Sequence, residues 1–274
     1  MKPAARTAAS RATELVRVRI GGKSRKQSDS LAVEEPLEIR VRGRSVAVTM
    51  RTPGHDRELA AGFLLTERII RHRKDLVDIA TCHASLEPQN TLDVFLKAGV
   101  QVDFASLTRH VFATSSCGLC GKASIEAVKQ NFPPVDSTLK VVAKVIARLP
   151  NRMRLAQRTF SQTGGLHAAA IFDARGKLVV LREDIGRHNA VDKVIGYGFL
   201  ENQFPFDQHI LLVSGRASFE IMQKALAARI PIVCAVSAPS SLAVEFARAS
   251  RQTLVGFLRG ESMNVYSVEE RIRV

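Results

Sequence analysis

Apolar residues alternate with polar ones in two segments, PLEIRV (36–41) and RSVAVTMR (44–51), which meet around Gly43. A period of two residues is typical of a strand with one buried face, so these segments predict a β-hairpin. After a Pro-Gly pair, the spacing in DRELAAGFLLTERII (56–70) becomes that of a helix. We therefore expect a hairpin followed by a helix that buries one face.

The middle of the chain predicts one strand and two helices. TLDVFLKAG (91–99) has the composition of a strand, whereas ASIEAVKQNF (123–132) and STLKVVAKVIARL (137–149) have helical spacing. Between the strand and the first helix lies TSSCGLCGKAS (114–124), a glycine-flanked segment with two cysteines. These thiols are therefore expected beside a helix N-terminus.

The C-terminal part of the chain changes to a strand–helix alternation. Two strands flank a turn around Ala174-Arg175-Gly176, and three further strand-like runs follow. The segments are AAAIFD (168–173), KLVVLRE (177–183), HILLVSG (209–215), PIVCAVSA (231–238) and TLVGFLRG (253–260), with helices at ASFEIMQKALAAR (217–229) and SLAVEFARAS (241–250). This alternation predicts parallel strands, with ligands held beyond their carboxyl ends.

These patterns predict a mixed α/β (α+β) fold with a smaller N-terminal hairpin and helix portion and a C-terminal α/β core, and 274 residues are enough for one domain of two lobes or for two small domains. The expected divisions are a basic, disordered tail at 1–30, a strand and helix portion at 31–110, a cysteine loop with helices at 111–160, and a ligand-binding α/β portion at 161–274.

Composition and charge narrow the class of protein. The 274 residues are 46% hydrophobic and 24% charged, and no apolar run has the roughly 18 residues of a membrane span. The formal net charge is +14, and residues 1–30 hold eight Lys or Arg against two acids. We interpret that tail as a solvated arm and the remaining excess as suited to an anionic ligand. Without Trp and with two Tyr, a nucleic-acid stacking surface is not expected.

Cys117 and Cys120 are the candidate reactive residues. Two thiols are half of a structural zinc site, and only Cys82-His83 offers further ligands, so no metal is expected. A thioredoxin-type redox pair and two inert thiols remain alternatives. The flanking glycines and Lys122 favour a mobile thiolate that carries sulfur. Cys82 and Cys234 lie in apolar segments and are expected in the core, and four cysteines without a disulfide framework suggest the cytoplasm.

Two further segments are candidate ligand sites. EDIGRHNAVDKVIG (183–196) combines Arg187 and His188 with several other charged residues, and it predicts either a solvated helix face or a binding site at a strand end. TGGLH (163–167) places Gly164, Gly165 and His167 in a turn that is either buried or able to bring backbone N–H groups to a phosphate.

Read together, these segments resemble the formate dehydrogenase accessory sulfurtransferases, the FdhD family. The resemblance spans about residues 34–266 and rests on motifs in the family's order: EEPLEIRVRG, MRTPG, ELAAGFLLTE, TSSCGLCGKASIE, TGGLHAAAIFD, REDIGRHNAVDKVIG, VSGRASFEIMQKA, AVSAPSSLAVEFA and TLVGFLRG. Arg68 stands where the family usually has glycine. The basic tail lies outside the resemblance.

The resemblance implies a cytidine-deaminase-like core, a homodimer and a role as a sulfurtransferase. Cys117 would take persulfide sulfur from a cysteine desulfurase, with Cys120 as an auxiliary thiol, and pass it to the molybdenum or tungsten bis(molybdopterin guanine dinucleotide) cofactor required by formate dehydrogenase. Two other classes stay open: a cofactor-binding chaperone without sulfur chemistry, and a zinc-stabilised regulatory protein.

The resemblance also implies a cofactor-binding segment, for which GDP or GMP would serve as fragment ligands. Its residues are Phe257, Leu258, Arg259, Gly260, Glu261 and Ser262. Further candidates at the predicted strand ends are Gly164, Gly165, His167, Arg187, His188, Ser214 and Arg216. No nucleic-acid or membrane partner is expected.

Overall fold

The structure, a computed structural model, describes residues 8–104 and 132–274 of the chain. The expected cysteine loop at 114–124 and most of the helix expected at 123–132 lie outside these residues. The strands are β1 Ser10–Arg17, β2 Arg25–Ala32, β3 Glu35–Val41, β4 Arg44–Arg51, β5 Leu76–Thr81, β6 Thr91–Leu96, β7 Val141–Val142, β8 His167–Asp173, β9 Leu178–Asp184, β10 His209–Val213, β11 Ile232–Ala235, β12 Thr253–Arg259, β13 Ser262–Ser267 and β14 Ile272–Arg273. The α-helices are α1 Asp56–Thr66, α2 Ala143–Ala156, α3 Arg158–Thr163, α4 Arg187–Leu200, α5 Phe219–Ala227 and α6 Ser241–Ala249.

The N-terminal lobe is a four-stranded sheet in the order β4-β3-β6-β5. The predicted hairpin of β3 and β4 is confirmed, and Gly43 occupies its turn with a φ of 73°. On β3, Leu37, Ile39 and Val41 alternate inward and are fully buried. The period of two in the sequence therefore sets which face of this sheet joins the core.

The C-terminal lobe is a six-stranded sheet in the order β13-β12-β11-β10-β8-β9. Its central strands β10, β11 and β12 are parallel, as the strand–helix alternation predicted. The strands on either side, β8 and β13, are antiparallel to their neighbours. Helices and strands cover both faces of β10 and β11, and every residue of these strands except the first of β10 is buried.

One hydrophobic core runs through both lobes. It joins β3 of the first sheet to one face of the second sheet through α1, α4 and α5. A second cluster fills the other face of the six-stranded sheet, where Ile146, Leu149 and Met153 of α2 pack. The mixed α/β fold is thus confirmed. Within the described residues, no helix has the length and apolar composition needed to cross a membrane.

Two predicted helices have different limits in the structure. The first ends at Thr66 instead of Ile70, because Arg68 adopts a left-handed φ of 60° that stops the helix. The second begins only at Ala143, since Val141 and Val142 pair with β14 as a short strand. It then continues through Pro150 to Ala156, with Met153 buried on the same face as the preceding apolar residues.

The prediction of a disordered tail at 1–30 is wrong for the residues that the structure describes there. β1 and β2 form an antiparallel hairpin, in register from Ser10 opposite Ala32 to Arg17 opposite Arg25. The ladder of backbone hydrogen bonds forms without an apolar face, and for that reason hydrophobic periodicity gave no sign of it. The hairpin packs against α3.

Candidate functional site

The predicted ligand residues lie along one edge of the six-stranded sheet. We define the carboxyl edge as the edge where β9, β10, β11 and β12 end and β8 and β13 begin. The strand register fixes this arrangement: His167 is opposite Asp184, Val213 is opposite Ala169, and Arg259 is opposite Ser262. Segments 164–167, 184–188, 214–216 and 257–262, distant in sequence, therefore lie along the same edge, with 257–262 nearer one side of the sheet and 184–188 at the other.

Three helices begin at the carboxyl edge. α4 follows β9, α5 follows β10 and α6 follows β11, with Gly186, Ser218 and Ser240 as their N-cap residues. Ser240 caps its helix by accepting a hydrogen bond from the N–H of Ala243 at 3.2 Å. Each helix directs its positive N-terminal end toward this edge, which makes the edge suitable for anions.

Glycines leave the backbone open at two places on this edge. A Cβ atom at Gly164 or Gly260 would meet nothing within 4 Å, and at Gly165 the nearest atom would be the Cβ of Ala32 at 3.7 Å. Gly164 and Gly260 also have left-handed φ values of 68° and 57°. A ligand can therefore approach the main chain closely at both turns, as phosphate recognition by N–H groups requires.

His167 is the exposed first residue of β8. Its Nδ1 atom lies beside Gly215, where an added Cβ would be 3.4 Å away. Partial burial lowers the pKa of His167, and the positive charge of Arg187 and the neighbouring His188 ring lower it further, whereas Asp184 opposes them. A neutral His167 presents one donor and one acceptor to this part of the edge. The alternative of a buried turn at TGGLH is wrong for this side chain.

His188 forms a buried pair that the sequence did not reveal. Its Nε2 atom is 2.7 Å from the Oε2 atom of Glu220, and only 7% and 8% of the two residues are exposed. The hydroxyl of Ser218 is 3.4 Å from the same Nε2 atom, and Arg187 Nε is 3.5 Å from it. His188 and Arg187 thus lie together, as expected, but the Glu220 carboxylate orients the imidazole. The glutamate in SFEIM was the one signal that could have suggested this partner.

The segment expected to bind the cofactor consists of the end of β12, the turn at Gly260 and Glu261, and the first residue of β13. Phe257 has a left-handed φ of 50° and is 40% exposed, and its N–H donates to the carbonyl of Ser237 at 3.1 Å. Arg259 is exposed, and its Nε donates to the carbonyl of Val236 at 3.2 Å. Leu258 points the other way and is fully buried in the core. Leu258 can therefore offer a ligand only its backbone.

The remaining predicted residues occupy the same edge with different exposure. Glu261 and Ser262 are exposed, and Arg216 is exposed after the end of β10. Ser214 forms two hydrogen bonds with Ala168: its N–H donates to Ala168 O, and its Oγ accepts from Ala168 N, both at 2.9 Å. Ser214 thus holds β8 against the end of β10, while Arg216 is available to a ligand.

Several charged residues of EDIGRHNAVDKVIG connect the two lobes instead of facing solvent. Lys193 Nζ is 2.6 Å from Asp184 Oδ2 and donates to the carbonyl of Thr52 at 2.8 Å. Asn189 donates to the carbonyl of Met50 and to Asp184 Oδ1 at 2.8 and 3.0 Å. The interpretation of this helix as a solvated face is therefore wrong, because these side chains are buried.

The two cysteines expected to react, Cys117 and Cys120, lie outside the described residues. Cys82 and Cys234 are buried, as predicted, and burial raises the pKa of the Cys234 thiol. In the described parts of the chain, no three His, Cys, Asp or Glu side chains are grouped so that they could hold a metal ion. Cys82 instead lies 3.8 Å from Arg40 Nη1.

Comparisons with known proteins agree on one family. The model of the FdhD/NarQ family matches residues 32–273. The chain is 53% identical over 253 residues to a protein of Mycobacterium tuberculosis named Sulfur carrier protein FdhD, covering 89% of this chain and 92% of that protein. A protein of the same name from Streptomyces coelicolor is 50% identical over 266 residues, covering 94% of each chain.

A solved structure supports the same relationship. It is a crystal structure from Desulfotalea psychrophila, of a protein assigned provisionally as a formate dehydrogenase accessory protein. It superposes with a TM-score of 0.79 and 26% sequence identity, covering 97% of this chain and 100% of that chain.

Proposed function

Because the chain belongs to the FdhD/NarQ family, we propose that it is a sulfur carrier for formate dehydrogenase, taking sulfur from a cysteine desulfurase and passing it to a bis(molybdopterin guanine dinucleotide) cofactor. The observation that carries the proposal is its identity of 50–53%, over most of its length, to proteins named sulfur carriers. The paired thiols in TSSCGLCGKAS supply the atoms that such a role requires.

The proposed loading step is an exchange between a thiolate and a persulfide. The Cys117 thiolate attacks the outer sulfur of a persulfide on the donor cysteine, and the sulfur–sulfur bond in the donor breaks. The donor leaves as a thiolate, and Cys117 carries the transferred sulfur as a persulfide, so no external oxidant or reductant is consumed. Cys120, three residues away, is the auxiliary thiol of this step.

The carboxyl edge supports the second half of the proposal. A bis(guanine dinucleotide) carries two pyrophosphates, and the edge presents helix N-termini, open glycine turns and the guanidinium groups of Arg187, Arg216 and Arg259. Guanidinium groups bind phosphate oxygens in two places, and backbone N–H groups add further donors. The cofactor would therefore bind here as the sulfur acceptor, with GDP or GMP as fragments that occupy part of the site.

The loading step can be tested by intact-mass analysis. Wild type incubated with a cysteine desulfurase and cysteine should gain a sulfur adduct of about 32 Da that a reductant removes, as expected for a persulfide. Cys117→Ala should remain folded and lose this adduct together with the maturation of formate dehydrogenase. The matched control is Cys234→Ala, which removes a thiol buried in the core and should keep the adduct.

Full maturation of formate dehydrogenase by folded Cys117→Ala would contradict the proposal. In that case the chain would act as a cofactor-binding chaperone without sulfur chemistry. A Cys117→Ala/Cys120→Ala double variant distinguishes the two, because a chaperone would tolerate the loss of both thiols.

A further inference from the structure

The β1–β2 hairpin has an unusual surface for an ordered element. None of its residues from Ser10 to Ala32 is buried, and Val16, Val18, Ile20 and Leu31 are each more than half exposed. A two-stranded hairpin is at best marginally stable by itself in water. Almost all of this hairpin lies outside residues 32–273, the part of the chain that matches the family.

The positive charge is concentrated at the hairpin tip, which we define as residues 15–28. The tip carries five cations and no acid. These cations are Arg17, Arg19, Lys23, Arg25 and Lys26, and all are exposed. Arg17 stands directly opposite Arg25 in the ladder, although like charges in that position destabilise a strand pair. An anionic partner would remove this repulsion.

The hairpin is anchored next to the carboxyl edge. Its base lies against α3, the helix that leads into Gly164, and the Cβ of Ala32 faces Gly165. Val33 N donates to Ala9 O at 3.0 Å, which closes the base. At about 3.4 Å per residue, eight residues carry the tip roughly 25 Å from this base. Because a domain of about 100 residues has a radius of gyration of about 13 Å, a protein bound at the tip is large enough to reach back over this distance to the carboxyl edge.

We propose that the hairpin tip is an electrostatic docking arm for the acidic surface of the protein that donates sulfur. The proposal rests on the proposed function. A donor delivers one sulfur atom in each encounter and must then leave, and charge steering accelerates association without requiring a long-lived complex. The tip of a second copy is a poor occupant, because two tips with five cations and no acid each would repel one another. The tip also has no aromatic residue on which a nucleic-acid base could stack.

The test is the rate at which a purified cysteine desulfurase loads the full-length chain with persulfide sulfur. The variant is Arg17→Glu/Arg25→Glu, which lowers the net charge of the tip from +5 to +1 and keeps two like charges opposite each other in the ladder. Its second-order loading rate should fall roughly tenfold at low salt, and the decrease should disappear at high salt. The control is Lys144→Glu/Arg148→Glu, an equal charge change on the exposed face of α2, which should keep the wild-type rate.

A small-molecule polysulfide separates this proposal from the proposed function. Polysulfide should load wild type and Arg17→Glu/Arg25→Glu equally, because it needs no docking surface. If neither donor places sulfur on Cys117 of wild type, the proposed function is wrong. If desulfurase loads the tip variant at the wild-type rate, the docking arm is wrong. It is also wrong if the loading rates of the tip variant and of the α2 control fall by the same factor. That conclusion holds even if the tip variant loses binding to anionic vesicles or to duplex DNA.

Discussion

At the scale of single residues, the charged side chains of the family motifs divide by burial. Asp184 and Lys193 are fully buried and bind each other and the N-terminal lobe. Arg216 and Arg259 also belong to family motifs, VSGRASFEIMQKA and TLVGFLRG, but their side chains are exposed at the carboxyl edge. The buried charges hold the fold together, and the exposed guanidinium groups remain available for an anionic ligand.

Arg259 is the residue on which ligand binding can be tested most directly. Its Nε donates a hydrogen bond to the carbonyl of Val236, and among the described residues its two Nη groups have no hydrogen-bond partner. Arg259→Ala should weaken the binding of GDP about tenfold, because a hydrogen bond to a charged group contributes roughly 1.5–3 kcal/mol. Calorimetric titration with GDP at two salt concentrations measures the change.

Arg248→Ala is the matched control for that titration, because Arg248 is exposed in the last turn of α6, away from its N-terminus at the carboxyl edge. It should leave the affinity for GDP unchanged. Loading of Cys117 with persulfide should be unaffected in both variants. An unchanged affinity in Arg259→Ala would remove this residue from the ligand site.

At the scale of elements, helices α1 and α4 approach so closely that two positions must be glycine. A Cβ at Gly62 would lie 1.9 Å from the carbonyl oxygen of Asp192, and a Cβ at Gly196 would lie 1.8 Å from that of Glu58. Side chains reinforce the contact, because Lys224 of α5 lies 2.8 Å from Asp192 Oδ2 and donates to Thr66 Oγ1 of α1 at 3.0 Å. Burial disfavours the Lys224 ammonium, but the Asp192 carboxylate keeps the pKa of Lys224 raised.

Gly62→Ala should therefore destabilise the protein strongly. The helices must separate to admit the methyl group, and overpacking of this kind costs about 3 kcal/mol. Chemical denaturation would show a lower midpoint. Gly165→Ala is the control, since its Cβ would have no atom closer than 3.7 Å, and its midpoint should match wild type. Equal midpoints for Gly62→Ala and wild type would show that the two helices separate without cost.

At the scale of the whole molecule, an ion pair joins the two lobes. Arg182 of β9 donates from Nε and Nη2 to the two carboxylate oxygens of Glu58 of α1, at 2.6 and 2.7 Å. Arg182 also lies over the ring of Tyr197, 5.2 Å from its centroid. Burial favours the neutral form of Glu58, but its hydrogen bonds with Arg182 and His55 hold the pKa of Glu58 below its ordinary value of 4.5.

This pair predicts how stability depends on pH. Because the pKa of Glu58 is lower in the folded state, its contribution is present above pH 4.5 and is lost as the pH falls through the folded value. Glu58→Gln should lower the denaturation midpoint at pH 7 and flatten its decrease below pH 4.5. Asp78→Asn is the control, because its pair with Arg57 is more than half exposed and should change stability little. A Glu58→Gln profile parallel to wild type would contradict the prediction.

The sequence by itself determined the elements whose pattern is local. Apolar periodicity predicted the hairpin around Gly43, the parallel strands β10 to β12 with their helices, and the burial of Cys82 and Cys234. It could do so because apolar residues recur along the chain with the period of the strand or helix whose face they bury. The motifs in their order also determined the family. Hydrogen bonds of the backbone need no such pattern, and the β1–β2 hairpin was therefore missed.

Only the tertiary structure decided which motif residues belong to the site. His188 and Glu220 are 32 positions apart in sequence, and Lys193 and Thr52 are 141 positions apart, yet each pair is in hydrogen-bonding contact. Sequence spacing shows that charged residues are near one helix start, but it does not show which element faces them. Burial and partner choice depend on how the two lobes pack. For that reason one motif contains both Lys193, which is buried and contacts the N-terminal lobe, and Arg187, which is partly exposed at the carboxyl edge.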